Sequence, residues 1–200
     1  TLSLEEHEAD YEPIVQWLIP DRRDSWGRYR NSYQEENPED WHGVAWDAIR
    51  YKNPFAYPMT TGPAMVIGDG RLFGQKTSYF VSPGEQSIQH ITKALSVRTY
   101  ASEQELPGER EIVYIGGNDF RKTKVEGRLR VNNHRNENIT MIISRKFSGE
   151  LLEADGDPKC SLLAEGAYSV NQRNELIWTI TLKPGEEREI TYTHTVLVDN

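Results

Sequence analysis

The sequence predicts an all-β fold: antiparallel β-sandwich architecture in two sandwich-like units, behind a short helical or irregular N-terminal segment. Three observations carry that expectation. From Gly43 onward apolar residues recur with a period of two, the spacing of a strand with one buried face. Asp69-Gly70 stands between two apolar runs, the pair a two-residue hairpin turn favours because both central residues take positive φ. Pro-Gly-Glu is written twice, in "SPGEQS" (82–87) and "KPGEER" (183–188), each time between strand-like runs.

Taken in order, residues 1–42 read as an acidic helical or irregular segment. Ser3 and Glu6 have capping-box spacing. Pro13 suits the first turn of a short helix with Ile14, Trp17 and Leu18 at i, i+3 and i+4, which Pro20 would end. A second helix is predicted from Asp24, with Trp26, Tyr29 and Tyr33 on one face. "EENPEDW" (35–41) reads as a loop. Because fully burying a tryptophan contributes about 3 kcal/mol or more, Trp17 and Trp26 are predicted to be buried against the β-region.

Residues 43–107 read as the first β unit. "VAWDAIRY" alternates, and "KNPFAYPMTTGP" holds Pro54, Pro58 and Pro63, too many prolines for a sheet interior. "AMVIGDGRLFG" is the hairpin. "KTSYFV" and "SIQHITKALSV" flank the first Pro-Gly-Glu, where Pro presets φ near −65° and Gly supplies positive φ, so Gly84 and Gly185 are predicted in the left-handed region. "LPGERE" (106–111) marks the boundary with a second β-sandwich unit, 108–200. There "EIVYIGG", "TKVEGRLRV", "NITMIISRKF", "ELIWTITL" and "EREITYTHTVLV" are strand-like. "NNHRNEN" (132–138) and "SGELLEADGDPK" (148–159) are loops. The two Pro-Gly-Glu copies stand 101 residues apart, close to the length of one immunoglobulin-like sandwich.

Charge and composition narrow the partners. Of the formal charge of −8, residues 1–42 supply −7, with eleven acids against four arginines. No basic stripe of the kind that neutralises phosphates is present, which argues against nucleic acid. No apolar run approaches the ~20 residues of a membrane helix. The single Cys160 excludes an intrachain disulfide and any multi-cysteine metal site. A chain that begins Thr-Leu-Ser without Met reads as a processed piece of something longer.

Residues 48–100 combine an Asn ending a strand, a Thr-Thr-Gly-Pro turn, a Gly-Asp-Gly hairpin and a Pro-Gly-Glu turn. Residues 126–198 add "GRLRVNNHRNENITMII" and "ELIWTITLKPGEEREITYTHTVLV". This order resembles the C-terminal β-rich domain of unknown function in bacterial proteins related to the mucoidy inhibitor, over about three-quarters of the chain. "ITKALSV" stands where that pattern has a Gly-Asp pair. The resemblance implies an extracytoplasmic, cell-envelope setting and supplies no catalytic residues.

Candidate chemistry is sparse. His7, His42, His90, His134 and His194 lack metal-ligand spacing, and His194, on the apolar face of a strand, reads as a satisfied core histidine. Cys160 has no nucleophile signature. Glu153, Asp155 and Asp157 alternate as in a calcium loop but lack the rest of its pattern. Asn138-Ile139-Thr140 matches a glycosylation sequon. The candidate binding group is Trp26, Arg28, Tyr29, Tyr33 and Trp41, aromatics among arginines of the kind that dominate interfaces. No catalytic residue, cofactor or metal is predicted. The expectation is a non-enzymatic interaction or scaffold domain of a larger bacterial envelope protein, with a protein partner. The alternative is a carbohydrate-binding module using those N-terminal aromatics, and a carboxylate-based hydrolase is the third reading.

Overall fold

A computed structural model describes residues 6–29, 44–108, 111–166 and 169–199, and among them every regular element is a β-strand. The all-β prediction holds; the helical N-terminal segment does not. The chain divides into two compact units, Thr1–Gln16 with Trp46–Ala94, and Trp17–Ala45 with Leu95–Asn200.

In the first unit, residues of β1 (Tyr11–Ile19) pair antiparallel with β2 (Trp46–Lys52), which pairs in turn with β5 (Gln86–Lys93). Between them β3 (Gly62–Gly68) and β4 (Arg71–Ser78) form a hairpin. It turns where predicted, with φ of 50° at Asp69 and 70° at Gly70. The predicted helix at Pro13 is instead β1. Ile14, Trp17 and Leu18 fit a helical face, but Val15, Trp17 and Ile19 fit a strand equally well, and all three of these are buried, as is Ile14, while Leu18 is exposed. Three β-branched residues in so short a run favour the pleated alternative.

The second predicted helix is also absent from its described part, because Asp24 builds a turn. Its Oδ1 accepts hydrogen bonds from the backbone N–H of Trp26 (2.9 Å) and Arg28 (3.0 Å), and Gly27 takes φ of 77°. The chain therefore folds back so that Arg23 bridges to Tyr29. Short polar side chains that satisfy nearby backbone donors compete with helix formation in this way.

The second unit contains β6 (Val97–Glu105), β7 (Glu111–Ile115), β8 (Asn118–Asn133), β9 (Ile139–Ser148), β10 (Glu150–Ala154), β11 (Lys159–Ala164), β12 (Arg173–Leu182) and β13 (Glu187–Asp199). β11, β12 and β9 are neighbours in one sheet; β10, β13, β8 and β6 are neighbours in another, with β7 also on β8. The inner faces meet through aromatic contacts, Phe147 of β9 with Tyr192 and His194 of β13 (6.1 and 5.0 Å between ring centroids) and Trp178 of β12 with Tyr192 (6.3 Å). Alternate residues such as Val125, Leu129 and Val131 fill this core.

The repeated Pro-Gly-Glu is part of a larger repeated device. Asn53 follows β2 and Asn133 ends β8, and both are buried. In the first unit Asn53 Nδ2 donates to Tyr57 O and Val81 O (both 3.0 Å), its Oδ1 accepts from Phe55 N–H, and its backbone exchanges bonds with Glu85 and Gly84. In the second, Asn133 Nδ2 donates to Glu137 O (2.9 Å), Leu182 O (3.3 Å) and Lys183 O (3.0 Å), its Oδ1 accepts from Arg135 N–H, and its backbone exchanges bonds with Glu186 and Gly185. Each turn glutamate reaches back to a backbone N–H, Glu85 to Ser82 and Glu186 to Lys183, both at 2.8 Å. Gly84 and Gly185 take φ of 70° and 69°, as predicted. The two brackets match except for the additional bond from Asn133 Nδ2 to Lys183 O, although one encloses a hairpin and the other four strands.

Candidate functional site

A densely bonded polar group lies inside the second unit. β6, β8 and β13 place Glu103, Gly127 and Tyr192 in one row across the sheet. All three belong to the inward-facing series, where apolar residues are the rule. Gly127 leaves the middle of that row empty, and Tyr192 leans across it so that its hydroxyl donates to Glu103 Oε1 at 2.9 Å. A Cβ at Gly127 would stand 2.1 Å from Tyr192 Cζ, so only glycine admits the ring.

From the opposing sheet, β9 aims Arg145 at the same point. Its Nε donates to the Tyr192 hydroxyl (2.6 Å), Nη1 to the carbonyl of Pro20 (2.5 Å) and Nη2 to Glu103 Oε1. The turn after β1 closes the group. Tyr29 donates to Glu103 Oε2, and Arg23 lies 3.8 Å from that oxygen and 4.1 Å over the Tyr29 ring. His194, one inward step beyond Tyr192, is fully buried with neither ring nitrogen hydrogen-bonded among the described residues. It is a core histidine as predicted, but not a satisfied one.

The charges follow from these contacts. Burial pushes the Glu103 carboxyl up, but Arg145, His194 and the Tyr29 hydrogen bond outweigh it and hold the pKa at about 2. Burial and then Glu103 push the Tyr29 hydroxyl up to about 12. Burial raises Tyr192, with Arg145 opposing. Burial opposes the charge on Arg145, but Tyr192 and Glu103 keep it cationic. Burial drives His194 down to about 4, so it is neutral at physiological pH. Glu103 is thus an anion with both oxygens engaged. The cavity beside it, about 40 Å³ and lined by Arg22, Tyr29, Ser102, Glu103, Arg145 and Tyr192 among others, is of a size for a few water molecules rather than a substrate. Chemically the arrangement is a clamp that ties β6, β9, β13 and the turn at 23–29 together; it presents no poised base or nucleophile.

Of the predicted binding group, Tyr29 is drawn into this clamp and Arg28 pairs with Asp199. Trp26 is 45% exposed and stacks on Phe120 at 6.1 Å, which overturns the expectation that it is buried; Trp17 is fully buried as expected. Trp26 sits at the tip of the Asp24 turn, where a side chain projects from the sheet. Tyr33, Trp41, His42 and the Ser3 cap lie outside the described residues. Cys160 is an exposed free thiol on β11. Asp155 is used structurally, accepting from Thr191 N–H (3.1 Å) and Oγ1 (2.6 Å). Among the described residues no three His, Cys, Asp or Glu side chains are grouped as a metal would need, and no helix is long and apolar enough to cross a membrane.

Reading the sequence missed Glu103, Arg145 and Gly127. A signal for one was present: Met141, Ile143, Arg145 and Phe147 form an alternating apolar series interrupted by a charge, and such a charge must find a buried partner. Nothing local marks Glu103 as that partner. Comparison of the chain with family models, with curated proteins and with solved structures finds no match.

Proposed function

We propose that this chain is a non-enzymatic interaction or scaffold domain of a larger bacterial envelope protein, extracytoplasmic and immunoglobulin-like, that docks a protein partner through the β3–β4 hairpin. The observation that carries the reading is the outer face of that hairpin. Met65, Ile67 and Leu72 are 61%, 61% and 60% exposed. Ile67 and Leu72 are directly paired across the two strands, so the side chains form one continuous apolar surface. The hairpin backbone is held by a close approach to β5, where Gly74 lies against the carbonyl of Ile91. A fixed apolar face on a two-stranded sheet is a common basis for protein contacts. The saturated state of Glu103 fits a domain whose polar core serves shape.

The test is a photocrosslinking amino acid at Met65 in the full-length protein, in envelope preparations. A discrete cross-linked species, lost in the Ile67→Glu, Leu72→Lys variant while the urea midpoint stays put, supports the reading. Absence of any discrete species overturns it.

A further inference from the structure

A second surface, on the other unit, has a different chemistry. The outward residues of β6, β8 and β13 enclose a shallow depression of about 230 Å³ that includes Tyr100, Gln104, Glu126, Arg128, Arg130 and Glu189. The register sets their layout: Tyr100, Arg130 and Glu189 form one row across three strands, and Gln104 pairs with Glu126 two rows along. Strands about 4.8 Å apart and same-face residues about 6.8 Å apart make this a pad of roughly 10 by 13 Å.

Tyr100 is 57% exposed, and the guanidinium of Arg130 lies 5.5 Å from its ring centroid. Arg128 is bound by Glu126 at 2.6 Å. Two arginines against two glutamates leave the pad without net charge. A phosphate or polyanion would meet both glutamates, and an apolar segment would have to desolvate four charges. A sugar meets neither obstacle. Its vicinal hydroxyls donate and accept side by side, which suits planar guanidinium, carboxylate and amide groups, and its C–H face stacks on an exposed aromatic ring.

We propose that the solvent face of the β6–β8–β13 sheet is a binding site for a neutral oligosaccharide, with Tyr100 as the stacking platform and Arg130, Glu189 and Gln104 as hydroxyl partners. The site is separate from the Trp26 turn and from the β3–β4 hairpin.

The experiment is calorimetric titration of the intact chain with neutral glucan, mannan, galactan and chitin oligosaccharides, beside sulfated and phosphorylated glycans. At least one neutral class binds, and both Tyr100→Ala and Arg130→Gln weaken it tenfold or more at an unchanged urea midpoint. Should Tyr100→Ala lower the midpoint, Glu189→Gln, at the other end of the same row, takes its place. The proposal is overturned if no neutral class binds, if only charged glycans bind, or if binding persists in the pad variants and disappears in Trp26→Ala. Hairpin variants leave sugar binding intact, so this proposal and the protein-docking reading fail independently.

Discussion

Asn53 and Asn133 close their units with matching hydrogen bonds, one more at Asn133, but the cores beneath them differ. Among the described residues the buried apolar set of the first unit is Ile14, Val15, Ala48, Val81 and Ala94, three aliphatic side chains and two methyls. The second unit buries Trp17, Phe120, Phe147, Trp178 and Tyr192 together with a dozen or so aliphatics, and it also internalises an ion pair. The comparison separates two jobs. The bracket is a local solution to ending strands and turning the chain, so it works over either core. The Glu103 clamp is a consequence of depth: only a thick, well-packed sandwich can exclude enough water to make an arginine and a glutamate depend on each other.

The largest effect should come from breaking the feature that, among the described residues, only the second unit has. Glu103→Ala leaves Arg145 buried without its counter-charge, and a loss of about 3–5 kcal/mol is expected in urea unfolding. A loss under 1 kcal/mol would mean that water reaches Arg145. Next, Gly127→Ala forces Tyr192 off Glu103, with an expected cost of about 2–3 kcal/mol. Adding Tyr192→Ala to that variant should cost less than the sum of the two single changes, because both remove the same contact.

The brackets provide the closest test. Asn133→Ala strands three carbonyl bonds and Asn53→Ala two, so costs of about 2–3 and 1–2 kcal/mol respectively are expected from chemical unfolding. Equal costs would show that the additional bond from Asn133 to Lys183 O adds nothing to the bracket.

Acid sharpens the contrast from another side. The folded state holds His194 near pKa 4 against an ordinary 6.5, so the unfolded chain takes up this proton first, and stability present above pH 6.5 is lost as pH falls toward 4. Glu103, near 2 against 4.5, adds a further loss from pH 4.5 downward, since it too is protonated more readily when unfolded. Each contribution is on the order of a few kcal/mol at most. His194→Phe should flatten the upper window and narrow the lower one, because the protonated ring also helps to depress Glu103, as read by urea midpoints between pH 7 and 3.5. The smallest effect is expected at the turns, where Gly84→Val and Gly185→Val should each cost about 1–2 kcal/mol through backbone strain at positive φ. A cost at one turn alone would show that the two brackets are not equivalent.

What the sequence by itself determined is whatever short-range chemistry decides. Asp69-Gly70 and the two Pro-Gly pairs specify their turns because few residues tolerate the required φ, and period-two runs such as Leu176 to Leu182 specify strands because one face must be buried. Short segments with several possible periods were left to tertiary structure. Residues 11–19 fit a helix or a strand until pairing with β2 and the burial of Val15, Trp17 and Ile19 selected the strand, and residues 24–29 became a turn through bonds to Asp24. The clamp was out of reach for the same reason. Glu103 and Arg145 are 42 residues apart, and both are ordinary polar residues until two sheets close over them and remove the water that would otherwise satisfy them; Tyr29, 74 residues from Glu103, reaches it from a half-exposed position in the turn.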